Sequence, residues 1–254
     1  MQDADAAAAR ITVAHSLADA LEGADFVQEN APEHVEDKLP LFAELDRLAS
    51  PDAILASSTS AIVASRFTEA LAGRARCLVA HPVNPPHLVP IVELVGSPWT
   101  SEETIARAKA VYEQVGQSPI VVRKEIAGFI LNRLQGALLA EAFRLVGEGY
   151  VSPQDLDKTL KDGLGLRWSF MGPFETIDLN APGGMADYCA RYTGFYQRLQ
   201  SAPAKPDVFE GPNVQRIVEA WGLSGDRERL DARMRWRDER LAALKAHKAA
   251  QVES

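Results

Sequence analysis

Through the first half of the chain, apolar residues come in short unbroken runs, separated by stretches in which they return every three or four positions. The runs at 10–14, 24–28, 53–56, 76–80, 91–95 and 120–122 are short and partly β-branched, which predicts strands. Between them, Val35, Leu39, Phe42, Leu45 and Leu48 mark one face of a helix over 33–48. Residues 17–21, 65–72 and 100–115 predict further helices, the last with Gly116 just past its end, as helix C-termini prefer. Strands alternating with helices, each strand nearly continuous in apolar residues, predict an α/β fold built on a mostly parallel, doubly wound sheet.

The pattern changes after residue 124. Residues 126–149 form a helical stretch that is apolar almost all round, with Phe129, Ile130, Leu134, Leu138, Leu139, Phe143 and Val146, so it is expected to be buried or to form a subunit interface. Ser152 as N-cap and Pro153 at the first helical position open another helix. Residues 202–206 are linker-like and 212–221 predict a helix. Residues 226–248 are charge-rich, with Leu230, Met234, Leu241 and Leu244 to one side. The expected division is an α/β domain over 1–124, an all-helical domain over 125–222 and a charged helical tail over 223–254.

Composition narrows the function classes. At 254 residues and 46% hydrophobic content, the chain can bury a sizeable core in two domains. Its 27 basic and 35 acidic residues give a net charge of -8, which argues against a nucleic-acid partner. No apolar stretch approaches the ~18 residues of a membrane span. The start, Met1-Gln2-Asp3-Ala4-Asp5, lacks the basic region of a signal peptide. The two cysteines, Cys77 and Cys189, show no metal-ligand spacing, so both are expected to be reduced thiols and no metal is expected. A soluble, cytoplasmic protein is therefore expected.

One stretch carries candidate chemistry. His81 ends an apolar run, and Glu93 lies twelve positions later inside another, Pro90-Ile91-Val92-Glu93-Leu94-Val95. A carboxylate in such a place costs several kcal/mol unless paired. An imidazole is a natural partner, and a His–Glu pair is a general base with an orienting second member. Ser57-Ser58-Thr59-Ser60 and Asn132 add hydroxyl and amide groups at the ends of other elements. The plain alternatives are a structural histidine, a polar strand end and an asparagine bound to a neighbouring loop backbone. His15, His34, His87 and His247 show no partner spacing.

A doubly wound sheet with a candidate histidine invites a dinucleotide, yet the sequence has no G-x-G-x-x-G between a strand and a helix. Gly163-Leu164-Gly165 lacks the third glycine and lies in the helical half, and Gly183-Gly184 fails on context. A leading βαβ unit of roughly 30 residues or more is therefore expected to be missing, making 1–124 an incomplete dinucleotide-binding domain. The run 24–28 would then expose an apolar edge, and 10–14 would lose its neighbour. A fragment, a partner chain or a swap are the expected explanations.

In order and spacing, Ser57-Ser58-Thr59-Ser60, His81-Pro82-Val83-Asn84-Pro85-Pro86, Val92-Glu93-Leu94, Gly128-Phe129-Ile130-Leu131-Asn132-Arg133, Val151-Ser152-Pro153 and Met171-Gly172-Pro173-Phe174-Glu175 together resemble the 3-hydroxyacyl-CoA dehydrogenase superfamily. The closer likeness is to its lambda-crystallin / L-gulonate 3-dehydrogenase branch, since Pro82 and Val83 stand where the acyl-CoA enzymes typically carry two aromatics. The resemblance implies a truncated Rossmann-like domain followed by a helical substrate and dimerisation domain, NAD as cofactor, and a homodimer. It implies catalytic roles for His81, Glu93, Ser60 and Asn132: the histidine takes the hydroxyl proton as hydride leaves for the nicotinamide, the glutamate orients it, and the serine and amide hold the reacting oxygen. It also implies cofactor contacts at Glu29, Lys38, Ser60 and Asn84. For Lys38, a solvated lysine in a charge-rich helix is the alternative. Arg167 is a candidate clamp for a substrate carboxylate, with a surface loop arginine, or a pair with Glu175 or Asp178, as the alternative. The implied activity is oxidation of a small 3-hydroxy acid such as L-gulonate. A short-chain 3-hydroxyacyl-CoA dehydrogenase is the alternative in the same class, and a headless, non-catalytic interaction subunit the alternative outside it.

Overall fold

The computed structural model describes residues 4–222 and 226–251; the first three residues of the acidic start, and 223–225 and 252–254 of the expected tail, lie outside the described residues. The chain divides into two compact units, Met1–Arg133 and Leu134–Ser254. Among the described residues no helix is long and apolar enough to cross a membrane.

The first unit holds a five-stranded sheet, β1 (Phe26–Glu29), β2 (Ile54–Ser57), β3 (Cys77–Pro82), β4 (Ile91–Gly96) and β5 (Ser118–Val122), in that spatial order. Every neighbouring pair is parallel except β3 and β4, which are antiparallel. Helices α1 (Ala4–Ala8), α2 (Leu17–Leu21), α3 (Val35–Leu48), α4 (Ser65–Thr68) and α5 (Glu102–Gln114) complete it. Side chains alternate across a strand, so the sheet buries two separate cores. Leu55, Val79 and Val95 join Phe42, Leu45 and Phe67 on one face. Ile54, Ala56, Leu78, Ala80 and Leu94 meet Ala108 on the other, with Phe26 and Tyr112 packed alongside. Helices therefore cover both faces, as near-continuous apolar strands require. Ser101 caps α5 by accepting from the Thr104 N–H at 3.1 Å, and Gly116, at φ +77°, ends it.

Three local expectations need correction. Residues 10–14 form no strand: Ile11 and Val13 are 78% and 91% exposed, and no strand among the described residues offers them a ladder of hydrogen bonds. His81 does not end its strand but lies within it, because β3 runs on to Pro82. The apolar stretch 126–149 is not one buried helix. It begins with a turn in which Gly128 and Phe129 adopt positive φ (+74° and +49°), and only then enters helix α6 (Leu131–Gly147), none of whose residues is buried.

The second unit is helical: the rest of α6, then α7 (Pro153–Thr159), α8 (Gly165–Trp168), α9 (Pro173–Leu179), α10 (Gly184–Leu199), α11 (Gly211–Trp221) and α12 (Arg227–Ala250). Ser152 caps α7 through the Asp155 N–H at 3.1 Å, and Pro153 is its first residue.

Burial pushes the Cys77 thiol up to about 12, with Asp46 adding to the rise and Arg76 opposing it. Cys189 is exposed. Native protein at about pH 8 is expected to react with a thiol reagent once, at Cys189, and at Cys77 only after unfolding. Two fast equivalents from folded protein would show that Cys77 is not a core residue.

Candidate active site

The single antiparallel pairing builds the centre of the site. Its register sets His81 directly opposite Glu93, so residues twelve apart in sequence become a cross-strand pair on one face of the sheet. The His81 Nδ1 lies 2.9 Å from Glu93 Oε2, with Glu93 wholly buried and His81 6% exposed. The other oxygen, Glu93 Oε1, accepts the Ile130 N–H at 2.8 Å and the Leu131 N–H at 3.0 Å. Those amides belong to the opening turn of α6, where N–H groups have no partner within the helix and the helix dipole favours a carboxylate. The positive φ of Gly128 and Phe129 turns the chain into that position. Phe129, fully buried, also stands 5.6 Å from the His81 ring. A buried carboxylate is thus met by three donors, as such a group requires. With Nδ1–H donating to Glu93, the lone pair of the ring lies on Nε2.

A second cluster forms where β1 and β2 end. Glu29 is buried and accepts from Lys38 Nζ at 2.9 and 3.0 Å, from Ser57 Oγ at 2.5 Å and from the Ala31 N–H. Lys38 is wholly buried. The solvated alternative for Lys38 therefore fails: its ammonium group is paired with Glu29 beneath the serine-rich loop. In that loop, the Ser60 carbonyl accepts from Asn132 Nδ2 at 2.8 Å, while the Ser60 hydroxyl has no partner among the described residues. The asparagine at the start of α6 thus binds a neighbouring loop backbone, and one of its two N–H groups stays free.

The predicted residues are joined by a continuous set of contacts. His81 meets Glu93, Glu93 meets the two amides that precede Asn132, and Asn132 meets Ser60. Asn84 lies apart, exposed in the loop after β3. Arg167 belongs to the second unit; it lies on α8 rather than on a loop, is exposed, and among the described residues makes no ion pair with Glu175 or Asp178. One carboxylate at this site escaped the sequence reading. Glu33 looks like an ordinary acidic residue before a helix, yet its Oε1 accepts from Thr59 Oγ1 at 2.5 Å and from the Ser60 and Ala61 N–H groups at 3.0 and 3.1 Å. Two carboxylates within five residues of one strand end, opposite a Ser/Thr run at the next, are the signal that could have found it.

The sequence pattern of the 3-hydroxyacyl-CoA dehydrogenase NAD-binding domain matches residues 1–126, and that of its C-terminal domain matches 128–220. The chain is 46% identical to lambda-crystallin of Oryctolagus cuniculus over 91% of its own length and 73% of the relative. It is 38% identical to L-carnitine dehydrogenase of Pseudomonas aeruginosa over 94% and 74%. Among solved structures, an NAD+-dependent dismutase, FHMPC 5-dehydrogenase, superposes with a TM-score of 0.81 at 28% identity, covering 93% of this chain and 77% of that one. The (S)-3-hydroxybutyryl-CoA dehydrogenase of Ralstonia eutropha gives a TM-score of 0.59 at 31% identity, covering 79% and 69%.

The domain matching residues 1–126 is an NAD-binding domain, and the described residues fit that cofactor only in part. Hydroxyl and amide groups stand at the carboxyl ends of β1 and β2, where open α/β sheets place ligands. No strand–glycine-rich turn–helix that would cradle a pyrophosphate occurs among the described residues: Gly163 and Gly165 lie in consecutive helical turns, Leu160–Leu164 and Gly165–Trp168. Domain matches and relatives agree: this chain belongs to the 3-hydroxyacyl-CoA dehydrogenase family of NAD-dependent oxidoreductases.

Proposed function

We propose that this chain serves the oxidation of the hydroxyl group of a small 3-hydroxy acid, L-gulonate-like in size and charge. The observation that carries this reading is the buried His81–Glu93 pair, whose ring is oriented from below and free at Nε2. Oxidation of a secondary alcohol removes a hydride from carbon, which NAD would accept when bound, and a proton from oxygen, and the residues described here concern the second. His81 Nε2 takes the hydroxyl proton, and Glu93 holds Nδ1 and balances the imidazolium that forms. The Ser60 hydroxyl and the free N–H of Asn132 hold the reacting oxygen as negative charge grows on it. Glu29 and Lys38 act beneath the site, as a paired prop for Ser57. A free acid is preferred to a CoA thioester because the chain is 36–38% identical to dehydrogenases of L-carnitine and 29–31% to those of 3-hydroxybutyryl-CoA.

In a catalytically active preparation, His81→Gln is expected to lower kcat about 100-fold or more without unfolding the protein. Glu93→Ala is expected to lower stability by about 3 kcal/mol, because it strands two backbone amides and the ring, and Glu93→Gln by clearly less. Steady-state kinetics on free 3-hydroxy acids and on 3-hydroxyacyl-CoA thioesters, with urea unfolding of the variants, tests this. Full activity of His81→Gln would remove the dyad from the mechanism, and higher kcat/KM on thioesters would reverse the substrate assignment.

We further infer a homodimer formed through the helical unit. Among the described residues every buried aliphatic or aromatic core side chain lies between Leu21 and Phe129, and in the second unit Pro153 is the buried apolar residue. Leu134, Phe170, Phe174 and Leu179 are each more than 60% exposed there. Apolar surface on that scale marks a protein interface, and a second copy is the occupant that a closed, two-fold symmetric assembly supplies. Light scattering should give twice the monomer mass, falling to the monomer value for the double variant Leu134→Glu/Leu138→Glu. A monomeric parent protein would refute this.

A further inference from the structure

We propose that the helical unit binds a planar aromatic anion, in a cavity built wholly from its own residues. Three of the chain's four tryptophans, Trp168 ending α8, Trp221 ending α11 and Trp236 within α12, line one cavity of about 810 Å³. That volume falls within the range of small-molecule sites. The three indoles are 41%, 37% and 43% exposed, although few side chains gain more from burial. None of their ring N–H groups has a partner among the described residues. Local sequence sets this arrangement. Gly222, at φ +71°, ends α11 directly after Trp221. Gln154 of α7 donates to the Ala220 and Trp221 carbonyls at 3.0 and 3.3 Å, joining α7 to that helix end. In α12, Arg233 and Trp236 stand three positions apart and so share a face.

The charge around these rings is positive. Lys158, Lys161 and Arg233 line the cavity against one carboxylate, Asp157. Lys158 is already engaged, 2.8 Å from Asp155. Lys161 approaches its exposed neighbour Asp162 at 3.4 Å, a contact that water screens. Arg233 makes no ion pair among the described residues; its guanidinium lies 4.0 Å over the Trp236 ring, with that of Arg240 5.9 Å from the same ring. The whole of α12 carries eight basic and four acidic residues, in a chain of net charge -8. Flat indole walls suit a ring, while unpaired indole N–H groups and two available cations suit negative charge. A guanidinium resting on an indole is already oriented to pair with a carboxylate, phosphate or sulfonate. The side chains assigned above to the dimer by their exposure, Leu134, Phe170, Phe174 and Leu179, do not line this cavity, nor do His81, Glu93, Ser60 and Asn132.

Calorimetric titration of the full chain with three probes tests this. Anilinonaphthalene sulfonate carries both rings and charge, phenylnaphthylamine the same rings without the sulfonate, and decanoate a carboxylate without a ring. The sulfonate is expected to bind once per chain, about 10-fold or more tighter than either of the others. The double variant Lys161→Gln/Arg233→Gln is expected to weaken the sulfonate about 10-fold and to leave the neutral amine unchanged. Trp168→Ala should weaken both ring probes, with circular dichroism like that of the parent in every variant. Equal affinity for the sulfonate and the neutral amine would overturn the proposal, because that is adhesion to apolar surface alone. Decanoate binding as tightly as the sulfonate would also overturn it, putting an acyl chain in place of the ring. So would sulfonate binding that the double variant leaves intact, or no binding at all, the result expected if a second copy fills the cavity.

Discussion

A carboxylate with no access to water holds the candidate site together. Glu93 lies in the interior of a strand, where an isolated charge costs several kcal/mol. It is tolerated because three donors converge on it: the His81 ring from the neighbouring strand and two amides from the start of α6. Each dependency constrains another part of the fold. The His81 contact requires β3 and β4 to run antiparallel, in a register that sets those two residues opposite each other. The amide contacts require the chain to turn at Gly128 and Phe129 before it becomes helical. Asn132 follows directly and carries the link to Ser60. Strand register, helix entry and ring orientation all meet in the satisfaction of one buried group.

The region around Ser60 follows a related logic with a different charge arrangement. Glu29 and Lys38 neutralise each other below the loop, and Glu33 binds its amides from the exposed side. Beneath the loop the requirement is pairing, since neither charge could stand alone there. On the exposed side solvent lowers that demand, so the same residue type can serve to fix geometry. Two glutamates four positions apart thus do different physical work because one is buried and the other is not.

The parts of the fold legible in sequence were those fixed by local pattern. The runs at 53–56 and 91–95 became β2 and β4 because apolar continuity survives any choice of strand direction. The His81–Glu93 pair was legible because a carboxylate in an apolar run demands a partner. Strand direction was not legible, since periodicity carries no sign of it, and the antiparallel β3–β4 pairing emerges only from the register. Residues 10–14 show the limit of propensity: a β-branched run stays outside the sheet when no neighbour pairs with it. Glu33 was missed because its partners lie 26 to 28 positions away, on a loop whose approach no local rule encodes. The long apolar helix was read correctly in composition; of its two expected settings, burial within the chain is not the one seen, since no residue of α6 is buried.

The most direct measurement is the tautomer of His81 in solution, read by nitrogen-15 NMR of the imidazole near neutral pH. The account predicts a proton on Nδ1, held toward Glu93, so that Nε2 is the nitrogen that exchanges its proton. A ring protonated on Nε2 alone, or one whose nitrogens average through rapid reorientation, would contradict it, because the histidine would then have no aimed base and the glutamate no orienting role.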